Sequence, residues 1–195
     1  MTNLNYGTFI VVIDTSASME EMGKLPLAVS ALSYLLERIR LQTFPISNPR
    51  IKIIRWGEET VEIELRKEMR LPKLKALGKA AVAPILEILN DSLEGQGDFF
   101  TMLLISDGAF NKEEVSTFGK WVRNKPALDM RTIAIGPDAL VNNLKQISGH
   151  APTRIEDLGP LLDSMFLSSS LGIEKPVSLS EVSIERSNLM TKGSS

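Results

Sequence analysis

Phe9–Ile13 is an unbroken apolar run, Phe-Ile-Val-Val-Ile, and Phe99–Ile105 is a second apolar run with one threonine, Thr101, in it. Short apolar runs of this kind, rich in β-branched residues in the first case, mark strands buried on both faces. Both stop abruptly in polar residues: Asp14-Thr15-Ser16-Ala17-Ser18 after the first, and Ser106-Asp107-Gly108 after the second. Met130–Ile135 predicts a third core strand, ending at Gly136-Pro137.

Between these runs the apolar spacing becomes helical. Leu25, Ala28, Val29, Leu32, Leu35, Leu36 and Ile39 fall on one face of a helix predicted within Glu20–Leu41. Pro26 suits its first turn, and Met22, Gly23 and Lys24 read as preceding loop. Leu77–Leu93 predicts a second helix, with a kink or restart at Pro84. Asn111 is placed to cap a third, with Glu113 and Glu114 in its first turn and Val115, Phe118, Trp121 and Val122 along it. Ala139–Ser148 and Leu158–Leu167 predict two more. Arg50–Trp56 and Thr60–Leu65 alternate on either side of Gly57-Glu58-Glu59 and read as a β-hairpin. Its second strand is expected at an edge, with Glu62 and Glu64 outward to discourage edge pairing. Thr153–Ile155 predicts a last short strand.

Strands alternating with helices imply a parallel sheet wound by right-handed crossovers, and the hairpin adds one antiparallel edge strand. The predicted architecture is a three-layer α/β domain over residues 1–170: a Rossmann-like open sheet, mostly parallel, with helices on both faces. With only about six strands it is open rather than a barrel. Residues 171–195 have few large side chains and no sustained period, and are expected to form a C-terminal tail, flexible or docked.

Composition narrows the function classes. Hydrophobic residues make up 43% of the 195, enough for the core of one domain. A net charge of -2 and a pI near 5.6 give no electrostatic case for nucleic acid or an anionic membrane. The absence of cysteine excludes disulfides and thiolate chemistry, and the single His150 excludes a multi-histidine metal centre. Phe9–Ile13 is too short to span a bilayer, and Met1–Asn5 lacks the basic region of a signal peptide, so the expected location is cytoplasmic. The phosphate-loop pattern is absent, and Ser16 has no histidine near it in sequence to serve as a base.

In open α/β sheets, ligands bind beyond the carboxyl ends of the strands. If the two apolar runs are neighbours, Asp14, Ser16, Ser18 and Asp107 share one rim. Those side chains offer only oxygen, which suits Mg²⁺, Mn²⁺ or Ca²⁺. A plainer reading stays open beside this one. Asp and Ser also cap helices and close turns, and Asp107-Gly108 is a common turn dipeptide.

At these residues the chain resembles the von Willebrand factor A (vWA) family, over roughly residues 5–168. The first strand with Asp14-x-Ser16-x-Ser18 resembles the opening segment of that family's metal-ion-dependent adhesion site (MIDAS). Leu103–Gly108 resembles the strand and loop bearing its later aspartate, and Arg131–Gly136 the strand that follows. The resemblance implies a non-catalytic protein-interaction module. An ion held by Asp14, Ser16, Ser18 and Asp107 would keep an open position that an acidic group of a partner completes, with Lys75, Thr15 and Gly108 as flanking partner contacts. The chain looks most like the short stand-alone bacterial type linked to tellurite-resistance and stress operons, which implies work beside a protein kinase and a PP2C-type phosphatase. It departs from the pattern in the loop before the third helix, where the family usually has a threonine. Leu74–Lys79 takes that place here, and Lys75 falls at the threonine's position. A protonated lysine cannot ligate a hard cation, so its ammonium is expected against Asp14 or Asp107, standing in for part of the ion's charge.

Two other readings compete. A haloacid-dehalogenase-type phosphotransferase also begins with a buried strand and an aspartate and uses Mg²⁺, but wants a second carboxylate two residues on, where this chain has Ser16. A metal-independent scaffold would contact its partners through helix faces and the tail.

Overall fold

The computed structural model describes residues 8–41, 50–65, 71–93 and 100–171. Strand β1 (Thr8–Asp14) leads through a 3-10 segment, Ala17–Gly23, into helix α1 (Lys24–Arg40). Strands β2 (Arg50–Trp56) and β3 (Val61–Glu62) come next, then helix α2 (Val82–Leu93) and strand β4 (Phe100–Ser106). Helix α3 (Lys112–Arg123), strand β5 (Leu128–Ala134) and helix α4 (Val141–Ser148) continue the alternation. Strand β6 (Thr153–Arg154) and helix α5 (Leu158–Leu171) close the described chain. The six strands form one sheet in the order β3-β2-β1-β4-β5-β6. All neighbours are parallel except the β2–β3 pair at one edge. This is the predicted open α/β sheet.

Period-2 alternation along the buried strands divides the core in two. Phe9, Val11 and Ile13 of β1, with Leu103 and Ile105 of β4, pack against Ala28, Leu32 and Leu35 of α1 and Leu162 and Phe166 of α5. Ile10, Val12, Met102 and Leu104 face the opposite layer, where Ile85 and Leu89 of α2, Phe118 of α3 and Leu144 and Ile147 of α4 cover them. Strands covered on both faces carry no polar side, which is why these runs are continuous rather than alternating. Asn111 caps α3 as expected: its side chain accepts from the Glu114 N–H, while Glu114 accepts from the Asn111 N–H.

Several boundaries differ from the sequence reading. Helix α2 begins at Val82 rather than Leu77. The preceding residues send their backbone hydrogen bonds outward: Leu77 N–H to Thr15 O, Glu58 N–H to Leu77 O, and Ala17 N–H to Gly78 O. Gly78 is left-handed, at φ 62°. An added Cβ there would lie 2.6 Å from the Glu58 side chain, so this close crossing requires glycine. Pro84 therefore lies in the first turn of α2, where its missing N–H costs nothing, and produces no kink. Helix α1 begins at Lys24, a residue assigned to the loop, after left-handed Gly23. Strand β3 is shorter than Thr60–Leu65: its ladder spans Val61–Glu62, although Ile63 N–H still reaches Ile53 O at 2.7 Å. Helix α5 runs past Leu167 to Leu171. Phe99, part of the basic connection (66–70) and the tail from residue 172 lie outside the described residues.

Candidate metal and partner-binding rim

Sheet register brings the two acidic strand ends together. Strand β1 pairs β4 with Ile13 opposite Ile105, which leaves Asp14 beside Ser106 at the carboxyl edge. The Ser106 hydroxyl donates to Asp14 Oδ2 at 2.6 Å, and the Ser16 N–H donates to Asp14 Oδ1 at 2.8 Å. Ser106 Oγ in turn accepts from the Gly108 N–H at 2.9 Å, which fixes the turn leading out of β4. Asp14 is fully buried. Burial pushes its carboxyl up to about 6, against the hydrogen bonds from Ser106 and Ser16, which favour the charged form.

Asp107 lies one residue beyond β4 and is also buried. The Ala109 N–H donates to its Oδ1 at 3.0 Å, and the Ser18 hydroxyl reaches the same oxygen at 3.3 Å. The Ser16 and Ser18 hydroxyl oxygens are 3.1 Å apart. The four side chains named from the sequence thus converge on one rim, linked through hydrogen bonds across the β1–β4 boundary.

The spacing of these oxygens bears on what the rim can hold. In octahedral coordination at about 2.1 Å, adjacent oxygens lie about 3 Å apart. The Ser16–Ser18 and Ser18–Asp107 separations of 3.1 and 3.3 Å are close to that edge length. The donors are carboxylate and hydroxyl oxygens, matched to a hard dication rather than to zinc in a sulfur or nitrogen site. Among the described residues no three His, Asp or Glu side chains are grouped to hold a metal, so an ion here depends on the hydroxyls. The donors fit a hard cation, in a site of low charge.

Lys24 is a charged group at the rim that the sequence placed in the loop. Its ammonium is 2.9 Å from Asp107 Oδ2 and 2.7 Å from Asp138 Oδ2. The lysine side chain is 2% exposed. Burial pulls its pKa down, but the hydrogen bonds to Asp138 and Asp107 outweigh that and hold it above the ordinary lysine value. Asp138, in the β5–α4 connection, is held below the usual carboxylate range chiefly by its bond to Lys24. No local signal in the sequence marks this link, which joins residues 83 and 114 positions apart.

The flanking residues stand differently from expectation. Lys75 is exposed and lines a surface hollow of about 200 Å³ with Thr15, Arg55, Glu58, Glu59, Lys73 and Leu77. Among the described residues it forms no ion pair with Asp14 or Asp107; the ammonium against Asp107 belongs to Lys24. The late start of α2 explains the change, since Gly78, not Lys75, meets the Ser16–Ser18 loop. A cleft of about 130 Å³ opens there between Ser16, Ser18, Gly78, Lys79, Ala109 and Glu114, with Lys79 paired to Glu114 at 2.8 Å. Thr15 is buried and ties the loop to β2, its N–H donating to Trp56 O at 2.7 Å. Gly108 is also buried, at φ 75°, with its carbonyl accepting from the Asn143 amide. Both lie at the base of the rim, whereas neighbouring Ala109 is exposed.

No protein-family model matches the chain, and no curated protein matches it. Solved structures do. A von Willebrand factor type A protein from Catenulispora acidiphila superposes with a TM-score of 0.58 at 14% identity, over 85% of this chain and 43% of that one. Proximal thread matrix protein 1 from the mussel byssus, with a zinc-occupied MIDAS motif, gives 0.56 at 15% identity over 82% and 47%. The manganese-loaded TRAP protein of Plasmodium vivax gives 0.58 at 15% identity over 83% and 74%. The chain spans less than half the length of the mussel and Catenulispora chains. Among the described residues no helix is long and apolar enough to cross a membrane. Sheet order, single antiparallel edge and helices on both faces, together with these superpositions, give the chain the von Willebrand factor A fold.

Proposed function

We propose that the chain is a non-catalytic interaction module whose rim, built from Asp14, Ser16, Ser18 and Asp107, takes a hard divalent cation and through it an acidic group of a protein partner. The observation that carries this reading is the convergence of the Ser16, Ser18 and Asp107 oxygens at 3.1 and 3.3 Å, one side chain away from a second buried carboxylate. When bound, the ion supplies a positive centre whose ligation a partner carboxylate completes. The chain's own part is to orient the donors: the Ser16 N–H and Ser106 hydroxyl fix Asp14, and the Ala109 N–H fixes Asp107. Metal-loaded structures of the mussel and Plasmodium proteins support an ion on this fold. Mg²⁺ is the expected resident ion, with Mn²⁺ or Ca²⁺ as substitutes. The resemblance further supports a bacterial cytoplasmic stress role, near tellurite resistance, with a protein kinase and a PP2C-type phosphatase as partners.

The geometry favours binding over phosphoryl transfer. An aspartyl nucleophile needs a free, accessible oxygen, whereas both oxygens of Asp14 accept hydrogen bonds in a buried position. The test is selection of displayed random peptides on the chain in Mn²⁺ buffer. Enrichment of Asp- or Glu-containing peptides, lost with EDTA and in a Ser16→Ala/Ser18→Ala variant, is the expected result. Enrichment indifferent to both would favour the metal-independent scaffold.

A further inference from the structure

The Lys24–Asp107 pair is built into the fold, with Asp138 at its exposed end. Lys24 opens α1, on the face of the sheet that α1 covers, and its stem runs beside Gly136. A Cβ added at Gly136 would lie 3.0 Å from Lys24 Cε and 2.9 Å from Asp138 Oδ1, so the turn after β5 leaves room for the lysine. Gly136 also has φ 90°, which a side chain rarely adopts. The two oxygens of Asp107 are divided. Oδ1 faces the Ser18 hydroxyl and the Ala109 N–H, while Oδ2 is taken by the ammonium.

Resting on the reading that the rim takes a hard dication, we infer that Lys24 is a resident counter-ion that sets how tightly that dication is held. Its ammonium offsets the charge of Asp107 from one side of the carboxylate and repels a cation on the other. Two like charges separated by a single carboxylate group repel one another, the more so because the lysine is buried. Asp138 moderates the effect by drawing the ammonium toward its own oxygen at 2.7 Å. The consequence is a rim that is charge-balanced on the Asp107 side without metal, so that ion occupancy responds to ion concentration instead of being permanent.

Two substitutions move the ion affinity in opposite directions. Lys24→Met keeps the length and apolar stem of the side chain and removes its charge; Mn²⁺ is expected to bind about tenfold tighter or more. Asp138→Asn removes a negative charge and releases the full ammonium onto Asp107; Mn²⁺ is expected to bind several-fold weaker. A purely structural role for the lysine would loosen the rim in both variants and weaken binding in both. The experiment is calorimetric titration of MnCl₂ into the full chain at constant ionic strength, with folding checked by circular dichroism. Shifts of opposite sign support the inference. Unchanged affinity, or weaker binding in both variants, overturns it while leaving the ion site itself intact. If neither the wild type nor folded Lys24→Met binds Mn²⁺, the metal reading falls and takes this inference with it. Should Lys24→Met not fold, an Asp138→Asn affinity equal to wild type is sufficient to overturn the inference.

Discussion

Asp14 and Asp107 end neighbouring strands and are both almost wholly buried, yet the fold compensates them differently. Asp107 is met by the Lys24 ammonium at 2.9 Å and by two further donors. Among the described residues Asp14 is met by the Ser106 hydroxyl and by the N–H and side chain of Ser16, none of them a cation. Strand alternation accounts for the division. Even-numbered β1 residues face the layer of α2, α3 and α4, and Asp14 continues that side; Asp107 follows the odd-numbered β4 residues toward α1, where Lys24 begins. One carboxylate therefore carries its own counter-charge, and the other is held by hydrogen bonds alone among the described residues. A buried carboxyl perturbed in this way, beside a cleft, is what a binding site looks like in physical terms.

Breaking the compensated side should cost most. Removing one partner of a buried ion pair leaves the other charge stranded, so Lys24→Met should lower the stability of the ion-free protein by about 3 kcal/mol in urea unfolding. Mn²⁺ should restore part of it, since a ligand that binds only the native state stabilises it. Equal stability with and without the lysine charge would remove the contrast between the two acids.

The uncompensated side should respond with the opposite sign. The folded-state pKa of Asp14, about 6, lies above the unfolded value of 3.8. The folded protein therefore holds this proton more tightly, and the group's contribution to stability falls as pH rises between those two values. In ion-free protein at pH 7, Asp14→Asn should be more stable than wild type by about 2 kcal/mol, the linkage gain less one weakened hydrogen bond. The gain should vanish below pH 4. A destabilised Asn variant at neutral pH would mean that Asp14 is compensated after all.

Ser106→Ala sharpens the same point from the donor side. It removes the hydroxyl that donates to Asp14 Oδ2 and the acceptor of the Gly108 N–H. A loss of about 1.5 kcal/mol is expected, larger at pH 7 than at pH 4 because the hydroxyl favours the charged carboxyl. Chemical unfolding at the two pH values reads the difference. Asp138→Asn should have the smallest effect on stability, because Asp138 is partly exposed and Lys24 keeps its bond to Asp107. It should also be the most sensitive of the four to added salt.

Much of this arrangement is visible in the chain before folding. Phe9–Ile13 and the apolar run ending at Ile105 announce buried strands, and each is followed by its carboxylate, so the rim follows once the strands are adjacent. Asn111 and Glu114 likewise carry a local capping pattern that survives intact. The rest depends on long-range geometry. Leu77 and Ala80 match a helical period but belong to an extended crossing held by bonds to Thr15, Ala17 and Glu58, and so Lys75 is displaced from the rim. Lys24 reads as an ordinary polar residue of the loop before the helix. Its role exists only because β4 and the β5–α4 turn bring Asp107 and Asp138 to the same end of α1. Thr15 and Gly108 sit inside the right motifs but face inward, a distinction that motif spacing does not carry.

The proposed ion site spans the ends of β1 and β4. Crystals of the full chain grown with MnCl₂, with data collected at the manganese absorption edge, test it most directly. One anomalous peak in contact with the oxygens of Ser16, Ser18 and Asp107 is the expected result. A saturated crystal with no peak at that corner, or with manganese bound only elsewhere, would contradict it.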